Sequence, residues 1–392
     1  MTTRDSAISS RRGRWQTAAD VLGLLGRQPG ITRAAVAHEL RLSSSSATEV
    51  TARLRDLQLL TETPAPSHGR GRPTTVLLPH PNGPLVLAID LRQGNWRSAV
   101  VSLDGSLQDH ASKRHRSRRP ASVLASLREV VEHTRDLYGD RLRAVGLAVA
   151  GTVRDNHLTQ ATTLGWAQVD LMPLVAGTGL PLLAGNDATL SGVAEARTGA
   201  AAGAGTALHL IVEVGIGGTL IVDGIPAAGS TGAGGEYGHM PFGDRALHCP
   251  CGARGCWDLE VDGRALARRL GEPEPDDPYA YAETVLQRHD KEARGAIATV
   301  AAALGSGIAG LVNAHDPDVV TLGGLAIPLR AAAHTSFDEA YREGLMAFHR
   351  AEPPPILDST HQKDGALRGA AALGLDHITT DAAIATWADP HT

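Results

Sequence analysis

The residues whose chemistry is easiest to read lie in the stretch 232–260, GAGGEYGHMPFGDRALHCPCGARGCWDLE. It holds all three cysteines of the 392-residue chain, Cys249, Cys251 and Cys256, with His239 ten residues ahead of the first, so the spacing is H-x9-C-x-C-x4-C. Three thiolates and one imidazole make a closed tetrahedral set for zinc, an ion that sulfur ligands favour. Four protein ligands leave no open position for a catalytic water, so the expected role is structural. His248 competes for the fourth place, but as the immediate neighbour of Cys249 it would strain the loop, which favours His239. A second group of residues is suited to hydroxyls. Glu236 and His239 are three apart and share a face of one helical turn. Asp258 closes the cysteine loop, Asn186 and Asp187 end one apolar run, and Gly151 follows another. Carboxylates, an amide and an imidazole supply the acceptors and donors that a polyol needs. Zinc then acts indirectly, by fixing the loop that carries Glu236, His239 and Asp258.

The elements able to position these groups are apolar runs of strand length. PLVLAIDL starts at residue 84, SAVVSLDG at 98, RAVGLAVAG at 143, LPLLAGND at 180 and ALHLIVEV at 207, separated by turns or by helical stretches such as SVLASLREVVEHTRDLYG. Such alternation indicates an α/β fold with largely covered sheets. Two units in sequence, from 84 to about 186 and from 207 to about 320, predict a two-lobed body with a ligand cleft. A charge-free run, 295–315, reaches membrane length. It is mostly small residues, with Gly305, Gly307 and Gly310 inside it, and reads as a buried helix pair rather than a span. Hydrophobic content of 42% and charge of 20% are those of a soluble globular protein. Cysteines committed to metal fit a reducing cytoplasm. Residues 1–15 carry arginines without an apolar segment behind them, which is not a signal-peptide pattern.

The net charge of −5 is unevenly divided. Residues 1–80 have 11 arginines, no lysine and 6 acidic residues, a net +5, whereas the rest has 26 basic and 36 acidic residues, a net −10. The basic end is a candidate nucleic-acid module. Within it Ala18, Val21, Leu22 and Leu25 recur at helical spacing until Pro29 and Gly30 end the run. Thr32 caps a short helix with Val36, Ala37 and Leu40 inward, and Ser43 caps a third with Ala47, Val50, Leu54 and Leu57 on one face. Three helices with a short turn between the last two suggest a helix-turn-helix. Ser44, Ser45, Thr48 and Glu49 fall on the opposite face, near the helix start that reaches base edges in such motifs, and Arg53 completes the set of expected DNA contacts. LQLLTETPAPSHGRGRPTTVLLP then reads as strand, wing and strand, with Arg70 and Arg72 at a Gly-rich tip suited to phosphates or a narrow minor groove.

Taken together these residues resemble the ROK family, named for repressors, unassigned reading frames and kinases. The resemblance covers nearly the whole chain: the winged helix-turn-helix with its GRGRP wing, LAIDL, LAVAGTV followed by LGW, AGNDA, GGEYGHMPF, CPCGARGCWD, NAHDPDVVTLGG and GALRGAAALG. It implies an α/β body of two actin-like (ribonuclease H-like) lobes behind the winged helix-turn-helix, a structural zinc, and a sugar or related ligand between the lobes. The matching positions are Asn186, Asp187, Glu236, His239 and Asp258, with Gly151 beside them. In family kinases the aspartate equivalent to Asp187 is the general base toward a sugar hydroxyl. The implied division is 1–80 for the DNA-binding head, 81–194 for the first lobe and 195–372 for the second lobe with the zinc loop and a dimer interface, a C-terminal helix at about 373–392 returning to the first lobe.

Two departures from the family pattern bear on function. Its kinases resemble DxGGTK in the first lobe, where this chain has Asp90-Leu91-Arg92-Gln93-Gly94-Asn95. Arg92 and Gln93 take the glycine positions, and a side chain there blocks the approach of phosphate to backbone amides. Gly215-Ile216-Gly217-Gly218 keeps part of a second phosphate loop, but Glu213-Val214 precedes it in place of a hydroxyl and glycine, and that carboxylate repels phosphate oxygens. Phosphoryl transfer depends on positioning and charge stabilisation, so kinase activity is not expected. Asp258 stands where the family usually has glutamate, with Glu260 as a candidate substitute. The expectation is a cytoplasmic, sugar-responsive repressor, a homodimer or tetramer on a double-stranded DNA operator, with no membrane association. The alternatives are an active ATP-dependent sugar kinase with a fused head and a regulator that senses zinc itself.

Overall fold

The computed structural model describes residues 3–64, 75–115 and 117–389, with side chains from Trp15 onward. Arg70 and Arg72 of the expected wing tip lie outside the described residues. The chain divides into two compact units, one of Met1–Ala148, Asp170–Ala184 and Ala370–Thr392, the other of Val149–Val169 and Gly185–Gly369. The head expected at 1–80 and most of the first lobe thus share a unit, to which 370–392 returns.

The head is built by α1 (Thr3–Arg27), α2 (Arg33–Glu39), α3 (Ser44–Asp56), β1 (Leu60–Pro64) and β2 (Thr75–Pro79). Its apolar stripes close on one another: Ala18, Val21, Leu22, Leu25, Val36, Ala47, Leu54 and Leu57 are all buried. Thr32 Oγ1 accepts from Ala35 N at 3.1 Å and Ser43 Oγ from Ser46 N at 3.0 Å. Each cap satisfies an orphan amide and contributes about 1 kcal/mol to its helix. β1 and β2 pair antiparallel, Thr61 opposite Leu78, and Thr32 bridges to Val76. The result is a winged helix-turn-helix.

The body follows with β3 (Leu85–Arg92), β4 (Asn95–Val101), β5 (Leu107–Arg114), α4 (Pro120–Tyr138), β6 (Leu142–Val149), β7 (Thr152–Arg154), β8 (His157–Ala161), β9 (Trp166–Asp170) and β10 (Leu182–Asn186). One sheet has the order β10-β6-β3-β4-β5, and β7, β8 and β9 form a small sheet of their own. The second unit continues through α5 (Asp187–Thr198), β11 (Thr206–Glu213), β12 (Gly215–Val222), β13 (Ile225–Pro226), α6 (Gly263–Leu270), α7 (Pro278–Leu286), α8 (Lys291–His315), β14 (Val319–Gly324), α9 (Ala326–Ala332), α10 (His334–Gly344), α11 (Ala347–Ala351) and β15 (Ile356–Asp358). Its sheet order is β13-β12-β11-β14-β15. The expected single C-terminal helix is two, α12 (Gly365–Ile378) and α13 (Asp381–Ala388), because Thr380 caps a new start. Trp387 of α13 donates its Nε1 proton to Leu57 O at 2.8 Å, which ties the chain end to the head.

Two expectations are corrected here. Gly215 to Gly218 are not a free loop but the first half of β12, paired from Glu213 opposite Gly215 to Leu210 opposite Gly218. The run 295–315 is no helix pair but part of α8, one continuous helix. Two of its glycines make room for neighbours: a Cβ at Gly305 would strike the Phe337 carbonyl and one at Gly307 the Trp257 indole, while one at Gly310 would press on the Phe242 ring. α8 is long and apolar enough to cross a membrane, yet 61% of its apolar window is buried within the unit.

The second unit also buries a titratable ring. His209 of β11 is 1% exposed, with Nδ1 2.9 Å from Thr321 Oγ1. Burial pushes its pKa down to about 4, against the opposing pull of the Glu195 carboxylate. Since an unfolded histidine titrates near 6.5, the unfolded chain binds the extra proton between those values. The stability due to neutral His209 is therefore complete above about pH 6.5 and lost as pH falls toward 4, roughly 3 kcal/mol over the window. Urea unfolding at pH 7 and pH 5 should show about 2 kcal/mol of this loss, and His209→Gln should flatten the slope between them.

Candidate functional site

The cysteine loop is a tight hairpin whose backbone sets the thiols. Cys249 N donates to Ala253 O at 2.9 Å, Gly252 N to Cys249 O at 2.9 Å, and Gly255 N to Leu247 O at 3.0 Å. The Cys251 and Cys256 sulfurs lie 3.7 Å apart, and Cys249 Sγ lies 3.7 Å from His239 Nδ1. All four ligand atoms fall within 4.8 Å of one another. A tetrahedral ion about 2.3 Å from sulfur needs ligand-to-ligand edges of about 3.7 Å, so the cluster fits a metal of zinc's size. His248 is spent on a backbone bridge to Arg254 and is not in the cluster. Burial pushes the Cys256 thiol up to about 12, with the neighbouring thiols adding to it, and raises Cys249 as well. A bound cation reverses that balance and holds the sulfurs as thiolates.

The same histidine faces two ways. A 3-10 turn, Tyr237–His239, places Glu236 and His239 on one face, with His239 Nε2 3.9 Å from Glu236 Oε2. Metal on Nδ1 would fix the ring proton on Nε2, leaving a donor directed away from the ion. Asp258 is nearly buried; Oδ1 accepts from Ile216 N at 2.6 Å and Oδ2 lies 3.4 Å from His239 Nδ1. Burial raises its pKa, opposed by the Ile216 amide and by His239. Glycine is required at 238 because a Cβ there would overlap the Asp258 carboxylate. Glu260 does not substitute for Asp258: it accepts from Asp244 N at 3.1 Å and Arg269 Nη2 at 3.0 Å.

A polar chain joins these groups to the start of α5. Glu236 Oε1 accepts from Thr152 Oγ1 at 3.0 Å, and the adjoining Gly151 carbonyl accepts from Asn186 Nδ2 at 3.1 Å. Asn186 is also the cap of α5, its Oδ1 accepting from Thr189 N at 2.9 Å. Asp187 opens that helix, half-buried, where the dipole favours a carboxylate, and its Oδ1 accepts from Ala188 N at 2.8 Å. All six residues expected around a polyol thus lie in the second unit along one connected network. The sequence reading missed Thr152, although it sits inside the AGTV motif next to Gly151.

In the first unit Asp90 is fully buried and its Oδ2 accepts from both Arg92 Nε and Arg97 Nε at 2.9 Å. The side chain that replaces a glycine is therefore folded back onto the aspartate of its own motif. In the head Ser44, Ser45, Thr48 and Glu49 are exposed at the start of α3. Arg53 is held by Glu49 Oε1 at 3.3 Å, with its guanidinium 5.7 Å from the Trp15 ring centre.

Against known sequences, the profile of the ROK family matches residues 86–377. The chain belongs to the ROK family. The MarR family profile matches residues 16–71, within the winged helix-turn-helix ahead of this ROK domain. A glucokinase of Streptomyces coelicolor is 27% identical over 261 residues, covering 61% of this chain and 81% of that protein. A xylose repressor of Bacillus subtilis is 24% identical over 259 residues, covering 64% and 67%. Among solved structures, a ROK family transcriptional regulator described as a homolog of E. coli MLC protein superposes with a TM-score of 0.75 at 22% identity, covering 94% of this chain and 97% of that one. That likeness fixes the fold: a winged helix-turn-helix followed by the actin-like ROK body.

Proposed function

We propose that this ROK protein is a cytoplasmic, sugar-responsive DNA-binding repressor, acting as a homodimer or tetramer, whose ROK domain holds a ligand without phosphorylating it. The observation that carries this reading is the exposed polar turn of α3, Ser44 to Glu49, in one chain with the network from Asn186 to Asp258. α3 enters the major groove of an operator, with Ser44, Ser45, Thr48 and Glu49 at base edges and Arg53, Arg70 and Arg72 on the backbone. Gly151, Asn186, Asp187, Glu236, His239 and Asp258, with Thr152, gather the hydroxyls of a sugar. Zinc on His239, Cys249, Cys251 and Cys256 is structural; it supplies a fixed scaffold for Glu236 and for the outward nitrogen of His239. Ligand binding biases the arrangement of two heads on DNA by its differential affinity for two states, with a coupling of about 1–3 kcal/mol.

Asp187 favours a second reading, an active ATP-dependent sugar kinase, since a carboxylate at a helix start is well placed to take a hydroxyl proton. Arg92 over Asp90 argues against it. Incubation with ATP and a sugar panel should release no ADP, while gel shift on the DNA upstream of the gene should respond to at least one of those sugars. Ser45→Ala with Thr48→Ala should change sequence preference and leave the salt dependence of binding as it was. Sustained ADP release that Asp187→Asn abolishes would assign the kinase instead.

A further inference from the structure

The three sulfurs of the cysteine loop do not share one environment. Cys249 and Cys256 are 7% and 0% exposed, whereas Cys251 is open to solvent. The cause is local. Cys249 to Gly252 form a β-turn, closed by Gly252 N donating to Cys249 O at 2.9 Å, with Pro250 and Cys251 at its two corners. Proline presets the first corner, and the second carries Cys251 at the hairpin tip. The two ends of the loop also differ in freedom. A Cβ at Gly255, beside Cys256, would meet Gly243 O at 3.0 Å, while one at Gly252, beside Cys251, would meet nothing within 4 Å. The Cys251 end therefore has room to shift, and the Cys256 end is packed in place.

The Cys251 and Cys256 sulfurs stand 3.7 Å apart. That separation suits one edge of a tetrahedral metal site, and it exceeds a disulfide bond of about 2.05 Å by roughly 1.7 Å. Zinc has no redox chemistry of its own, so electrons leaving such a centre come from sulfur. Oxidants act on thiolates in proportion to their exposure, and cysteines that ligate a metal are thiolates. We propose that Cys251 is a site of oxidation by hydrogen peroxide, with Cys256 as the cysteine that resolves it to a disulfide. The Cys251 sulfur attacks one peroxide oxygen, the O–O bond breaks, and hydroxide leaves with its electron pair, giving a sulfenic acid. The Cys256 sulfur attacks that of Cys251, the S–S bond forms, and a second hydroxide leaves. Two thiolates thus lose two electrons in all, one peroxide gains them, and solvent protonates both hydroxides. Of the four ligands only His239 and Cys249 remain, too few to hold zinc. Peroxide thereby acts on the loop that carries Glu236. The inference rests on the zinc reading and needs neither the sugar nor the operator.

The full chain, its zinc confirmed by elemental analysis, is treated with hydrogen peroxide while a chromophoric indicator follows zinc release. Aliquots are alkylated, digested and mapped by mass spectrometry. Zinc should appear at the same rate as a Cys251–Cys256 disulfide, with Cys249 left free for alkylation, and dithiothreitol with added zinc should restore Tm. Cys251→His keeps a two-cysteine, two-histidine set suited to zinc and should slow release about tenfold. If that variant fails to load zinc, mapping of the unaltered chain decides alone. Zinc kept through an excess of peroxide, a disulfide that includes Cys249, or release from Cys251→His as fast as from the unaltered chain would overturn the site. A chain purified without zinc removes the metal reading and this inference together, whereas a loaded chain that withstands peroxide removes this inference only.

Discussion

Stripping the metal is expected to melt the second unit, not to toggle it. Cys256 is followed directly by Trp257, whose indole is 1% exposed, lies against Gly307 and donates Nε1 to Ala303 O at 3.0 Å on α8. The cysteine loop is thereby keyed into the same core that α8 builds with β11, β14 and α10. Structural zinc contributes on the order of 10 kcal/mol, comparable with the whole 5–15 kcal/mol stability typical of a domain. Chelation should therefore lower Tm steeply and reduce helical circular dichroism, with recovery on adding zinc. If the metal-free chain kept its Tm and its operator affinity simply followed free zinc, the ion would be a signal rather than a support.

Trp257→Ala should rank next in size. The indole is the largest fully buried side chain of the described residues, and truncating a buried tryptophan costs about 3–5 kcal/mol because the cavity collapses only in part. Gly307, Ala303 and the edge of Phe242, whose ring centre is 5.9 Å from that of Trp257, would line the void. Urea titration should show the loss, and competition with a chromophoric chelator should show weaker metal binding, since Cys256 loses its anchor. Trp257→Phe should keep most of the stability and forgo only the Nε1 bond, about 1 kcal/mol. A Trp257→Ala protein with unchanged metal affinity would separate the loop from the core and remove the basis of both expectations.

What could be read from sequence was local. The metal cluster was legible because three ligands fall within eight positions, and the head because its stripes and caps, Thr32 and Ser43 above all, are contained in single helices. The strands with continuous apolar runs were legible too. β5 was not, because LQDHASKR has no apolar alternation and almost all of it is exposed; its place is set by pairing with β4. The continuity of α8 was hidden because glycine reads as a breaker when its packing partners, Phe337, Trp257 and Phe242, are unknown. Thr152 was missed for the same reason: its importance lies in reaching Glu236, 84 residues away. The approach of Arg97 to Asp90 needs the register of β3 with β4, which no single-strand pattern gives.

His239 turns the two nitrogens of a single ring to different neighbours, Nδ1 toward the Cys249 sulfur and Nε2 toward Glu236. If the proposed metal and sugar both engage this ring, they must report on each other by thermodynamic reciprocity: whatever factor the ion adds to the grip on a hydroxyl, the hydroxyl returns to the grip on the ion. On that proposal, a cell rich in the sugar would hold the ion more firmly, and a metal-starved cell would need more sugar for the same response.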